Sequence, residues 1–233
     1  MFPIHDETPT RITPFVTYAL IGANIFIFLY QLALSSSELQ QFFQTYALVP
    51  RELSAALAGE AGDRLVPEAL TLVSSQFLHG GIAHILGNML FLWIFGNNIE
   101  EQLGHIKYLI FYIACGVLAA LTQWFFSMGS GIPSLGASGA IAGVMGAYIL
   151  KFPQARIRTM VFLGPFITFP RIPAFFFLGF WFVMQALYGV VSLNAQSTVE
   201  TGGIAYWAHA GGFVFGAILG PLLGLFSDSS PRS

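Results

Sequence analysis

Charge is what this chain lacks most. Of its 233 residues only 9% are Asp, Glu, Lys or Arg, against roughly 25% in a soluble domain. That deficit excludes a soluble globular enzyme and a disordered chain. A formal net charge of −2 excludes a nucleic-acid partner, which calls for a basic surface. Cysteine is nearly absent. Cys115 is the single one, which excludes an intramolecular disulfide framework and a cysteine-based metal cluster. In place of charge the chain carries 55% hydrophobic residues and a mean hydropathy of +0.72. This is the composition of a helical protein that crosses a lipid bilayer several times, with no room for a large extra domain.

Asp, Glu, Lys and Arg divide the chain into charge-free runs at 12–37, 69–99, 108–150, 159–170, 172–199 and 201–227. A spanning helix needs about 20 largely apolar residues. Runs 12–37, 172–199 and 201–227 each hold one. Run 69–99 holds one after a polar stretch, Ser74-Ser75-Gln76-Phe77-Leu78-His79-Gly80-Gly81. Run 108–150 is broken by the Ser- and Gly-rich residues 127–134 and holds two. The expected architecture is an all-α polytopic bundle in one membrane domain. Its six spans lie near 14–34, 82–98, 108–126, 138–151, 173–193 and 203–225. Run 159–170 is short and contains Pro165 and Pro170, so it is expected as an interfacial or re-entrant segment. The first span lacks the basic flank and short apolar core of a cleaved signal peptide and is expected to remain as an anchor.

Lysine and arginine set the orientation. With an inward N-terminus, Arg11, Lys107, Lys151, Arg156, Arg158, Arg171 and Arg232 fall inside, and Arg51 and Arg64 outside. Both termini are then cytoplasmic. The stretch 35–78 becomes an outer loop, whose Phe42, Phe43, Tyr46 and Leu48 suit either the membrane interface or short loop helices.

The polar residues inside spans are the unusual ones. His84 and Asn88 are spaced i, i+4 on span two, Ser138 opens span four, and His209 lies on span six. Burying such groups in lipid is costly, so each points either to function or to a hydrogen bond between helices. Parity decides in favour of function. Spans two, four and six all start on the outer side, and His209 sits six residues past Gly203, roughly 9 Å down the helix. All four polar residues therefore share one depth. Gly139, Gly143 and Gly146 on span four, and Gly212, Gly216 and Gly220 on span six, form rows of small residues that let two backbones approach. Ser138 and His209 lie on those rows. An imidazole that takes the proton of a hydroxyl is the minimum for nucleophilic catalysis. With no carboxylate expected in any span, the machine is a Ser–His dyad. Asn88, His84 and the Ser138 backbone N–H at a helix N-terminus supply oxyanion donors. His79, with Ser74, Ser75 and Gln76 near the mouth of span two, is a candidate for holding water. His5 and His105 fall on the inner side and read as structural, and Cys115 as a packing residue.

These residues resemble the rhomboid family of intramembrane serine proteases. Gly136-Ala137-Ser138-Gly139 matches its GxSG motif, His84-x-x-x-Asn88 its HxxxN motif, and Ala208-His209-Ala210-Gly211-Gly212 the segment around its catalytic histidine. Glu100-x-x-Leu103-Gly104 extends the likeness. The resemblance implies Ser138 as nucleophile, His209 as general base and acid, and Asn88, His84 and the Ser138 N–H as the oxyanion hole. It further implies a six-helix core, a water-filled cavity open to the outer side, membrane-spanning protein substrates, and no metal or organic cofactor. On this picture the Phe-rich fifth span is a lateral gate. Two positions depart from the pattern. Leu70 and Thr71 stand where many members carry Trp-Arg, and Ala142 stands where many carry an aromatic under the histidine. Two other classes compete: a rhomboid-like protein that binds membrane helices without cutting them, and a small transporter. The second would need polar residues through to the inner face, where these spans turn apolar. The expected setting is the bacterial inner membrane.

Overall fold

A computed structural model describes residues 2–60, 65–194 and 204–227. Gly203, Arg64 and Arg232, used above for the sixth span and the orientation, lie outside them. The described chain runs β1 (Phe2–Asp6), α1 (Phe15–Leu32), α2 (Ser36–Tyr46), α3 (Pro50–Leu57), α4 (Leu65–Ser74), a 3₁₀ turn (Ser75–Phe77), α5 (Ile82–Leu103) and α6 (His105–Phe126). It continues with α7 (Ser138–Lys151), β2 (Arg156–Leu163), β3 (Phe166–Thr168), β4 (Arg171–Pro173), α8 (Ala174–Asn194) and α9 (Tyr206–Leu223). Five helices, α1, α5, α6, α8 and α9, are long and apolar enough to cross a membrane. The sixth, α7, has 14 residues, about 21 Å at 1.5 Å per residue.

α7 is short because it stands in the middle. Every residue from Gly139 through Tyr148 is buried, packed by α5, α6, α8 and α9. In lipid, helices associate through close contact and not through exclusion of water, so small residues dominate the seams. A Cβ on Gly212 would collide with the Gly139 carbonyl, one on Gly216 with the Gly143 carbonyl, and one on Gly146 with the Phe213 carbonyl. These positions bring α7 and α9 backbone to backbone. The missing side chains of Gly139 and Gly143 point elsewhere, to Ala119 and Cys115 on α6. Cys115 is buried there as a packing residue.

The stretch 159–170, expected as an interfacial or re-entrant segment, folds as strands and not as irregular chain. It belongs to a β-hairpin. β2 pairs antiparallel with β3 and β4 in turn, and with β1 from the chain's start, Asp6 opposite Ile157. Gly164 turns the hairpin at φ +60°, a conformation glycine adopts freely. Pro170 falls in the gap between β3 and β4, where its carbonyl accepts from Thr159 N–H. The prolines thus mark interruptions of a strand, as edge positions allow.

α5 also runs past its expected end, to Leu103, so a carboxylate does lie on a spanning helix. Glu100 is fully buried. Its oxygens accept from the Val16 and Thr17 backbone N–H groups and the Thr17 hydroxyl at 2.7–2.9 Å, and from His105 Nδ1–H at 2.6 Å. A negative group at the start of α1 satisfies amides that no helical carbonyl can reach. Glu100 therefore anchors α1 and not the loop before α5, whose Thr71 hydroxyl instead bonds the Glu68 carbonyl. The described residues of the stretch 35–78 form the short helices α2, α3 and α4 and the 3₁₀ turn. α2 begins with a capping box in which the Ser35 hydroxyl and the Glu38 carboxylate reach each other's backbone. Those Ser35 hydrogen bonds hold the Glu38 carboxyl below the usual range.

Candidate active site

The loop before α7 places Ser138. Leu48 and Ser134 exchange backbone hydrogen bonds at 2.7 and 3.0 Å, and Gly136 N–H donates to the Ser75 carbonyl at 2.8 Å. Gly136 adopts φ +128°, a region where a side chain is strained. A Cβ there would meet the His84 ring. Ser138 then opens α7, where its backbone N–H has no helical carbonyl in reach.

Ser138 and His209 meet across the α7–α9 seam. The Ser138 hydroxyl donates to His209 Nε2 at 2.7 Å. The other ring nitrogen, Nδ1, donates to the Gln185 side-chain oxygen on α8, also at 2.7 Å. Trp181, one turn earlier on α8, tilts against the imidazole with ring centroids 5.7 Å apart. So His209 is held by an amide that the sequence does not single out and by an indole, Trp181, that it groups with the lipid-facing bulk of the fifth span but that packs inward on the imidazole. With Ala142 in place of an aromatic, the sequence leaves the orientation of the ring to packing. The signal was present: Gln185 is a lone amide in the middle of a long apolar run. Tyr206 and Trp207, close to His209 in sequence, turn instead to Tyr188 and Phe126.

The wall opposite comes from α5. Asn88, 8% exposed, donates from Nδ2 to His79 Nε2 at 2.9 Å. The amide's second hydrogen remains for the cavity. Gly80 N–H donates to His84 Nδ1 at 3.4 Å, which leaves the proton of the neutral ring on Nε2. His79 departs from the water-holding position expected at the mouth. It is 1% exposed, sits behind Asn88, and is tied to Gln31 through its backbone N–H and carbonyl. Burial first, and then neighbouring His84, push its pKa down to about 4, with the Phe77 carbonyl pulling the other way. The ring is neutral at pH 7 and can accept. Ser75 and Gln76 are likewise buried.

His84, Asn88, Ser138 and His209 line one cavity of about 760 Å³. Its other described walls include Gly80, Gly81, Ile82, Pro133, Leu135 and Ile204. Beyond it, toward the sheet, Leu92, Phe95, Ile141 and Met145 form part of a continuous apolar core. That filling does not suit a transport path. A second cavity of about 470 Å³ lies at the sheet end, lined by residues including His5, Asp6, Trp93 and Asn97.

A hydroxyl hydrogen-bonded to an imidazole, with amide and ring donors across a cleft, is suited to acyl transfer. A family model described as the Rhomboid domain matches residues 66–226. The chain belongs to the rhomboid family. Among rhomboid relatives, "Rhomboid protein 1, mitochondrial" of Saccharomyces cerevisiae is 29% identical over 88% of this chain and 52% of its own length. "Presenilin-associated rhomboid-like protein A, mitochondrial" of Danio rerio is 32% identical over 63% of this chain and 36% of its own. "Rhomboid protease GluP" of Bacillus subtilis is 33% identical over 66% and 27%. The chain thus spans about half the length, or less, of these relatives. It is a multi-pass membrane protein of mainly helical, rhomboid-like fold.

Proposed function

We propose that this rhomboid is an intramembrane serine endopeptidase that cleaves transmembrane segments near the outer face by a Ser138–His209 dyad. The observation that carries the reading is the 2.7 Å hydrogen bond from the Ser138 hydroxyl to His209 Nε2 at the wall of the cavity. Ser138 Oγ attacks the carbonyl carbon of an unwound substrate peptide while Nε2 takes its proton. The negative oxygen that develops is met by the Ser138 N–H, Asn88 Nδ2 and His84 Nε2, donors that need no reorganisation. The intermediate collapses, His209 returns the proton to the leaving nitrogen, and water entering by the cavity hydrolyses the acyl-enzyme. Helical substrate backbone is closed to attack, so small or helix-breaking residues at the cut site make unwinding cheaper.

Six spans fit this reading. With its C-terminal end at the inner face, a 14-residue helix does not reach across a hydrocarbon core of about 30 Å. Ser138 is then set below the outer surface, where irregular backbone is tolerated only beside water or protein. The sheet end gathers Arg11, Lys107, Lys151, Arg156, Arg158 and Arg171, which favours a cytoplasmic position for it and for both termini. The substrates are transmembrane proteins, and the setting is a bacterial inner membrane.

The test uses purified protein in detergent with a model transmembrane substrate. Cleavage by the wild type, abolished in Ser138→Ala and in His209→Ala, is the expected result. Cleavage unchanged in either variant refutes the dyad. Capture of the substrate without any cleavage points to a helix-binding protein instead.

A further inference from the structure

We propose that Gln185 is the positioning residue of the dyad: its side-chain oxygen holds the Nδ1 proton of His209 and so fixes the tautomer in which Nε2 can accept from Ser138. The proposal deepens the protease reading and rests on it. A neutral imidazole carries one proton, on either nitrogen. If Nε2 carries it, the ring cannot take the serine proton, and attack stalls. The Ser138 hydrogen bond at Nε2 alone does not choose, because a hydroxyl can donate or accept. The choice is made at Nδ1, where the partner is a carbonyl oxygen 2.7 Å away. An acceptor there requires Nδ1–H.

Three features of α8 support this assignment. Trp181, Gln185 and Gly189 are spaced four apart and share one face. Trp181 rests on the His209 and Phe213 rings. Gly189 gives room to Trp207, whose ring lies 3.1 Å from where a Cβ would stand. Gln185 is thus held one turn from a contact on each side. The same helix turns Phe176, Phe180, Val183 and Leu187 outward, so it is polar in its middle only where it meets His209. An amide at such depth is costly unless paired. A carboxylate would be costlier still, and Gln185 gives the orienting oxygen without a charge. α8 therefore contributes directly to the competence of a base carried by α9.

The experiment uses full-length protein labelled with nitrogen-15 histidine in detergent. The His209 signals are assigned by their loss in His209→Ala. Gln185→Met keeps the length of the side chain and removes the acceptor. Gln185→Glu keeps an acceptor oxygen at the same reach. In the wild type His209 is expected as the Nδ1–H tautomer. In Gln185→Met it moves toward Nε2–H. The rate at which a fluorophosphonate labels Ser138, and kcat on the model substrate, then fall about 10- to 100-fold with KM within about twofold. Gln185→Glu recovers most of that loss. An unmoved tautomer in Gln185→Met overturns the proposal. So does a loss expressed in KM or thermal stability alone, or a Gln185→Glu no better than Gln185→Met. Should the wild type cleave no transmembrane substrate, the protease reading fails separately, and the tautomer still reports on Gln185.

Discussion

α7 and α8 are both apolar helices of this bundle, and they are packed in opposite ways. α7 is enclosed on all sides and meets α9 through glycines with backbone against backbone. α8 touches α7 and α9 along one stripe and turns large aromatic and aliphatic side chains away from the bundle. Ser138 and His209, the proposed nucleophile and base, stand on the close-packed α7–α9 seam. Gln185, which bonds the His209 ring and is proposed to orient it, stands on the looser helix. A seam without side chains has no rotamers to relax, so its geometry is set by backbone alone. A seam of aromatic rings can slide by small steps.

The largest expected effect comes from breaking the close seam. Gly216→Val drives a side chain into the Gly143 carbonyl and forces α7 and α9 apart. The expected cost is about 3 kcal/mol, the upper end for overpacking because backbone must move. It is checked by thermal unfolding in detergent together with loss of Ser138 labelling. The next concerns the α5 wall, which is fixed by side chains and not by glycine. His79→Leu removes the acceptor of Asn88 Nδ2. With that donor no longer aimed, kcat is expected to fall about tenfold with the dyad intact, somewhat less than for removing an oxyanion donor outright. Cleavage kinetics beside an unchanged His209 tautomer separate the two sites.

A smaller effect belongs to pH. The folded pKa of His79 is about 4 and its ordinary value 6.5. Between these the unfolded chain binds a proton that the folded one refuses. Stability therefore falls as pH drops through that window. His79→Gln, which keeps an acceptor oxygen but cannot titrate, should flatten the dependence by up to about 2 kcal/mol between pH 7 and 5. Unfolding midpoints of the two proteins at those pH values check it. The smallest effect is at the outer face of α8. Phe176, 65% exposed, should be replaceable by Ala within about 0.5 kcal/mol and without change in kcat. A large loss there would break the contrast between the two helices.

Much of this was legible because lipid forbids charge. The charge-free runs located α1, α5, α6, α7, α8 and α9 to within a few residues, and α7 begins at Ser138 as expected. Helix parity and the glycine rows group His84, Asn88, Ser138 and His209, and the four line one cavity. What stayed hidden is non-local. β1 pairs with a hairpin some 150 residues later, and nothing in five residues at the chain's start announces it. The sequence places Glu100 past the end of its span, since only the fold reveals that α1 begins against it. The spacing offers His79 as a water-holding group, and only the fold shows that α1 brings Gln31 to its backbone. Gln185 and His209 stand on helices joined by a long connection, so their register could not be counted from spacing.

The sheet fixes α8 at one end. Ala174 N–H bonds the Ala155 carbonyl and Phe175 N–H that of Pro153, directly after β4 is paired to β2. Any swing of α8 must therefore pivot there, as a lever pivots on its fulcrum. Gln185 lies eleven residues along, roughly 17 Å from the pivot. A rotation of about 5° carries it about 1.5 Å, enough to part an amide from an imidazole at hydrogen-bond distance. On the proposed reading, a swing of α8 that admitted a guest from the lipid would switch His209 off until it was reversed.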